Sequence, residues 1–391
     1  MPAGPEHILL LLSMANSMGR RIFEGILEYA NMHPNLRWRF QLALNQTTPG
    51  GPVPDEVSGV ILQANNAAFL RALDRRGIPR VNVSSFLPDS SGPKVELDNR
   101  AIGAEAARHF IRRRFRNFAY LGVSGTAYSK LRKAAFAADI RASAQDARFF
   151  STSIEPGPVY LDAPLPASVA EWIAKLPRPA ALFAATDGLA RQVIEVCESR
   201  GIRCPDEIAV LGVDNDEQEG AVSPVQLSSI ALPFHSLGFH AAQLLAGSMR
   251  TRSGPARKST PRPGNPLLPP LGIVTRHSTE SLAVEEPVVA RALHYIRDHS
   301  TADVPVEDIA AHCGVSRRYL ERRFRSVLGH APHAEVIRQR LHRVQLMLAE
   351  TSLTVSEIAD RLGYQEPKYL HRAFRREVGR SPMEYRRIFR R

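Results

Sequence analysis

Cysteine and tryptophan are scarce in this chain, at three and two of 391 residues. Cys197, Cys204 and Cys313 have no metal-ligand spacing, and their odd number excludes a closed disulfide framework. Each is expected to be a small hydrophobe in a reducing compartment. Long apolar runs are missing too. The run Ile8 to Leu12 follows Pro5-Glu6-His7 without a basic flank and falls well short of the roughly 18 residues of a membrane span. It reads as a first buried strand rather than a secretory signal. No Gly-rich phosphate loop, nucleophile elbow or clustered metal-ligand motif is present, so no metal, no cofactor and no enzymatic activity are expected.

What the chain does have is a pattern written twice near its end. The first copy is Ile309-Ala310, Gly314, Tyr319-Leu320, Arg322, Phe324-Arg325, Gly329 and Pro332; the second is Ile358-Ala359, Gly363, Tyr369-Leu370, Arg372, Phe374-Arg375, Gly379 and Pro382. Each copy reads as a short helix, a turn at a glycine with positive φ, and a second helix. Ser316 is placed to cap the first of these second helices, and Pro367 suits the opening turn of the other. Leu320 and Phe324, and likewise Leu370 and Phe374, form an apolar stripe of spacing four. Arg317, Arg318, Glu321, Arg322 and Arg325 project from the opposite side of the first, and Gln365, Lys368, His371, Arg372, Arg375 and Arg376 belong to the outer face of the second. An apolar back with a donor-rich front is what a helix needs to enter the major groove of DNA. Between the copies Ile337, Leu341, Val344 and Leu348 predict one long amphipathic helix that separates the two readers.

Charge follows the same division. Of the formal net charge of +12, residues 287–391 supply +8, with 20 Lys plus Arg against 12 Asp plus Glu. Such a concentration provides the salt-sensitive, sequence-independent part of nucleic-acid affinity.

From residue 7 to about 280 short apolar runs alternate with amphipathic stretches. Strands are expected at Ile8 to Ser13, Val57 to Gln63, Arg80 to Val83, Phe118 to Gly122, Ala180 to Ala184, Ile208 to Val213 and Leu271 to Val274. Helices are expected at Arg20 to Asn31, Ala67 to Arg76, Ala101 to Arg113 and Leu189 to Arg200. This alternation implies an α/β fold of doubly wound parallel sheets, followed by an all-α tail. Ligands of such sheets bind beyond the carboxyl ends of the strands. Asp98-Asn99, Thr186-Asp187 and Asp214-Asn215 fall at strand ends and, with Arg132, offer planar groups suited to sugar hydroxyls. Each aspartate is equally placed to cap the helix that follows it.

The C-terminal segment, about 288 to 388, resembles the AraC-type DNA-binding domain, carried by both copies in order and by Gly379-Arg380-Ser381-Pro382 and Tyr385-Arg386. Glu366-Pro367 departs from that pattern. The front portion is similar to the sugar-binding core of LacI/GalR-type repressors and to periplasmic binding proteins, through Asp98-Asn99 with Gly103, Leu131-Arg132-Lys133 to Phe136, Ala185-Thr186-Asp187 with Ala190, and Val210 to Asn215. That resemblance implies Asp98, Arg132, Thr186, Asp187 and Asp214 as ligand contacts and Phe234 as an aromatic closing the pocket. The N-terminal DNA reader usual in that family is expected to be absent. The two parts in this order resemble regulators of xylose operons, a resemblance that also takes in Arg20-Arg21 to Glu24-Gly25 and Leu320 to Phe324. It alone implies D-xylose, or another monosaccharide, as effector. It further implies a cytoplasmic, nucleoid-associated bacterial activator that binds operator DNA as a homodimer, engages RNA polymerase and has no membrane partner. The expected division is 1–280 for the sugar-binding domain, 281–287 for a linker and 288–391 for the DNA-binding domain, with ligand closing two lobes and shifting the readers.

The same residues admit other readings. Asp98 with Asp214 would be the carboxylate pair of a sugar-acting enzyme. A DNA-repair alkyl acceptor would need an activated cysteine beside a histidine, and Cys197 and Cys204 have none adjacent in sequence. Residues 250–270, rich in Arg, Lys, Pro and Ser, read as a solvated insertion, and Arg112-Arg113-Arg114 as a helix terminus favoured by the dipole.

Overall fold

A computed structural model describes residues 5–42, 56–87, 92–143, 146–156, 164–252, 266–279, 287–299 and 304–389. The first lobe is built from β1 (Glu6–Leu11), α1 (Ser17–Met32), β2 (Trp38–Leu42), β3 (Gly59–Leu62), α2 (Ala67–Arg75) and β4 (Arg80–Asn82), in a parallel sheet of order β2-β1-β3-β4. The continuous apolar runs of β1 and β3 are those of strands covered on both faces. The chain leaves this lobe through β5 (Glu96–Leu97). It then forms α3 (Asn99–Arg112), β6 (Asn117–Val123), α4 (Ala127–Ser143), β7 (Arg148–Ile154), α5 (Ala167–Ala174), β8 (Ala180–Ala184), α6 (Asp187–Ser199), β9 (Ile208–Asp214), α7 (Glu217–Val222) and β10 (Ser228–Ala231).

A return crossing brings α8 (Phe234–Arg252) back onto α1, β3 and β4 of the first lobe. A third crossing uses β11 (Leu267–Leu268), paired with β5, and ends in β12 (Gly272–Val274), antiparallel to β10. The second sheet has the order β12-β10-β9-β8-β6-β7 and is otherwise parallel. Helices α1 and α8 meet backbone to backbone. A Cβ at Gly25 would stand 1.9 Å from the His235 carbonyl oxygen, and one at Gly238 would stand 1.9 Å from that of Ile22.

The described residues of the tail form helices joined by turns: α9 (Pro287–Asp298), α10 (Val306–His312), α11 (Arg317–Leu328), α12 (Pro332–Glu350), α13 (Val355–Arg361), α14 (Pro367–Val378) and α15 (Pro382–Phe389). Gly314 and Gly363 hold the turns with φ of 67° and 66°, a region open to glycine without steric strain. The two copies have separate cores. Ile309, Leu320, Phe324 and Val336 belong to one, and Leu341, Val344, Leu348, Ile358, Leu370 and Phe374 to the other. Helix α12, whose 19 residues extend about 28 Å at the α-helical rise, lends its first turns to one core and its remainder to the other. Arg340 ties the second turn down, with its buried guanidinium donating to Leu362 O at 2.8 Å and standing 4.1 Å from the Tyr364 ring centroid.

Three of the four expected helices start earlier than periodicity indicates because polar caps stand about one turn ahead, and α2 starts at Ala67 as expected. Asn16 accepts from Gly19 N, Asp98 from Arg100 N and Ala101 N, and Thr186 from Leu189 N. The expected insertion 250–270 begins as the end of α8 and ends in β11, with 253–265 outside the described residues. The expected linker 281–287 also lies outside them, except for Pro287, the first residue of α9.

Candidate ligand cleft and nucleic-acid interface

The loops after the strands of both lobes face each other across an open cleft of about 890 Å³. Second-lobe walls include Asn99, Tyr128, Arg132, Thr186, Asp187 and Asp214, and Phe234 at the start of α8 closes one side. Five of the six expected contacts thus share one cleft. Asp98 is the exception: its carboxylate is turned onto the Arg100 and Ala101 amides as the cap of α3, and it is not part of the cleft wall. The neighbouring Asn99 takes its place there.

Arg132 is 4% exposed and held flat by three contacts. Nε donates to Asn99 Oδ1 at 2.9 Å, Nη1 donates to Ala185 O, and the guanidinium carbon is 5.1 Å from the Tyr128 ring centroid. Among the described residues Nη2 has no hydrogen-bond partner, which leaves it a donor at the cleft wall. Asp214 and Asn215 have φ of 114° and 50°, which side chains rarely adopt. The turn is fixed from three directions: Asn215 N donates to Ser229 Oγ at 2.9 Å, Arg276 Nη2 to Asn215 Oδ1 at 2.8 Å, and Asp216 N to Asp187 Oδ2 at 2.8 Å. Strain held this way presents Asp214 to the cleft.

Asp187 supports this turn from its buried side. It is 1% exposed and lies against Gly212, where a Cβ would come 2.0 Å from Oδ1. Burial, and then the Asp214 charge, raise its pKa well above the ordinary carboxylate range; burial also raises that of Asp214, opposed by Arg132. Asp216 reaches across the lobes, its Oδ2 accepting from Ser17 N at 3.1 Å and from Ser17 Oγ at 2.7 Å.

The first lobe contributes residues that had not been anticipated: Ser13, Asn16, Gln63, Asn66, Ser84 and Phe86. All follow strands β1, β3 and β4, so the strand-end rule would have found them. Amides, hydroxyls and a single aromatic carry no charge to mark them in the sequence.

On the tail, Ser316 caps α11 by accepting from Tyr319 N, and Arg318, Arg322 and Arg325 are exposed. Arg317 is engaged by Glu307 and by Glu321, the latter at 2.8 Å. On α14, Lys368, Arg372 and Arg375 are exposed, His371 is half-buried, and Gln365 is exposed just ahead of the helix. Lys368 pairs with Glu366 at 2.7 Å. Glu366 makes no side-chain cap, so Pro367 alone opens α14. Tyr319 and Tyr369, at matching positions, are 37% and 43% exposed on these same faces. A large exposed aromatic repeated in both copies makes them candidates for the same face. Among the described residues no helix is long and apolar enough to cross a membrane, and no group of three or more His, Cys, Asp or Glu is arranged to hold a metal ion.

Residues 107–279 match the periplasmic binding protein-like domain family, and residues 290–388 match a helix-turn-helix domain family. The xylose operon regulatory protein of Escherichia coli strain K12 is 28% identical over 391 residues, covering 98% of this chain and 97% of that protein. The solved structure of the xylose-binding transcription activator XylR is similar over 99% of both chains, with 26% identity and a TM-score of 0.58. A LacI family transcriptional regulator from Enterococcus faecium, solved with bound ribose, has the fold of the front portion, at 18% identity and a TM-score of 0.54 over 70% of this chain and 98% of its own. These relatives are regulators and not enzymes. The chain is a transcription regulator in which a periplasmic binding protein-like domain precedes an AraC-type double helix-turn-helix domain.

Proposed function

We propose that the cleft binds a neutral monosaccharide, D-xylose first among them, and that its occupancy sets how the two recognition helices engage operator DNA. The observation that carries this reading is the cleft wall itself. Arg132, Asn99, Asn66, Gln63 and Asp214 offer donors and acceptors around apolar faces of Phe86, Tyr128 and Phe234, as sugar hydroxyls and ring faces require. Arg132, Asp214 and Thr186 are the three direct polar contacts, while Asp187 and Asp98 act behind them, on the turn and on α3. The names of the similar regulators supply the pentose.

Ser316, Arg318, Glu321, Arg322, Arg325, Gln365, Lys368, His371, Arg372 and Arg375 form the DNA face, with Arg317 joining once released by its glutamates. The division at 281–287, a homodimer on a two-fold operator and contact with RNA polymerase belong to the same proposal. A thermal-shift screen of common monosaccharides tests it, since a ligand that binds the native state raises apparent stability by mass action. D-xylose is expected to raise the melting temperature and to change operator affinity in a gel-shift assay. No response to any monosaccharide sinks the reading.

A further inference from the structure

The two reading units are mounted differently on the rest of the chain. The core of the second contains Ala231 and Leu271, which belong to the front domain. Among the described residues the core of the first contains none from it. The join lies along α12. Ser236 Oγ, two residues after Phe234, donates to Ala349 O at 3.3 Å; Arg21 pairs with Glu350; and a Cβ at Gly272 would stand 3.0 Å from the His342 ring.

Arg21 has a second set of neighbours. Its guanidinium carbon is 5.9 Å from the ring centroid of Phe234, which closes the cleft. Burial lowers its pKa, opposed first by the charge of Glu24 and then by those of Glu217, Asp216 and Asp214. One turn earlier, at the start of the same helix, Ser17 holds Asp216 across the lobes. The opening of α1 therefore touches the acidic tip of the cleft, its aromatic wall and the last turn of α12. Arg21 itself is not part of the cleft wall.

We propose that Arg21 is a coupling residue, tying cleft occupancy to the placement of the second reading unit alone through Glu350. A ligand that engages Asp214 and covers Phe234 alters what holds Arg21, and hence its hold on α12. The first unit feels this only through the length of that helix. The proposal rests on the sugar reading for its ligand, but the mounting it describes is present without one.

The test uses the full chain with Glu350→Gln, Arg21→Met and the double variant, read by hydrogen exchange in α13–α14 against α10–α11, with and without D-xylose. In the unliganded protein each single variant is expected to speed exchange in the second unit about 10-fold and leave the first within about 2-fold, with the double variant no worse than either single one. With D-xylose, wild type is expected to change in the second unit only. Both single variants should still bind the sugar by calorimetry and lose that change. Equal effects on both units, additive effects in the double variant, or a sugar response that survives in Glu350→Gln overturns the proposal. If wild type binds no monosaccharide, the sugar reading falls while the unliganded comparison still decides the mounting.

Discussion

Replacing Phe374 by alanine probes whether the two reading units are independent in energy as well as in geometry. Phe374 is fully buried, and its ring meets Tyr385 edge-on at 5.4 Å between centroids. A buried Phe→Ala change costs about 3–5 kcal/mol, and the lost aromatic pair adds roughly 0.5–1.5 kcal/mol. At about 0.05–0.15 kcal/mol per residue, a unit of some 50 residues has only roughly 2.5–7.5 kcal/mol of its own. The variant should therefore open α13, α14 and α15 locally. The first unit, whose core around Phe324 shares only α12 with the second, should keep its protection. Hydrogen exchange resolved by helix reads this directly. Operator binding gives a second readout, because the salt slope of the affinity should fall by about 0.9 for every phosphate contact that α14 loses. The mirror variant, Phe324→Ala, should reverse the pattern. If Phe374→Ala deprotects α10 and α11 as much as α14, the separate-core reasoning is wrong.

Four further outcomes are expected. Arg132→Ala removes a charged donor and should weaken monosaccharide binding by roughly 1.5–3 kcal/mol in calorimetry; unchanged affinity would remove Arg132 from the site. Arg322→Ala and Arg372→Ala should each weaken operator binding by about 1–3 kcal/mol if they read bases, and a uniform loss on all sequences would mark them as phosphate contacts. Asp187→Asn tests the buried carboxyl. Its folded pKa is raised by burial above the ordinary 3.8, so the native state holds the proton more tightly than the unfolded chain. Stability from this group is complete below 3.8 and declines as pH rises towards the folded value. The variant should gain on wild type by up to about 1.4 kcal/mol per pH unit across that window, measured by denaturant titration, and a pH-independent difference would contradict the burial. Gly238→Ala drives a methyl into Ile22 O and should cost at least about 1–3 kcal/mol in chemical denaturation, with a neutral effect refuting the close contact of α1 and α8.

Much of the tail was legible because its signals are local. Leu320, Phe324, Leu370 and Phe374 announce their helices by spacing, and Gly314 and Gly363 mark the turns whose φ requires them. The cleft was legible in part. The strand-end rule pointed to Thr186, Asp187 and Asp214, but it does not say whether a carboxylate faces the ligand or an amide. Asp98 settled on the amides of α3, and Asp187 on Asp216 N. Helix α4 escaped the periodicity reading because its apolar residues are spread around it: Ala127 to Ser143 carries Phe136 and Ile140 inward along with Ser129 and Arg132.

The amino-acid sequence by itself determined the α/β alternation, the doubled helix-turn-helix and the basic tail, since periodicity, turn glycines and charge are properties of neighbours along the chain. Only the tertiary structure decided that Ser17 and Asp216 meet across 199 positions, that Asn99 and not Asp98 lines the cleft, and that Leu271 enters the core of the second unit and not the first. Those contacts arise from three crossings between lobes and from the docking of α12, and the physical cause is burial of surfaces whose partners lie too far apart in sequence for any local pattern to record.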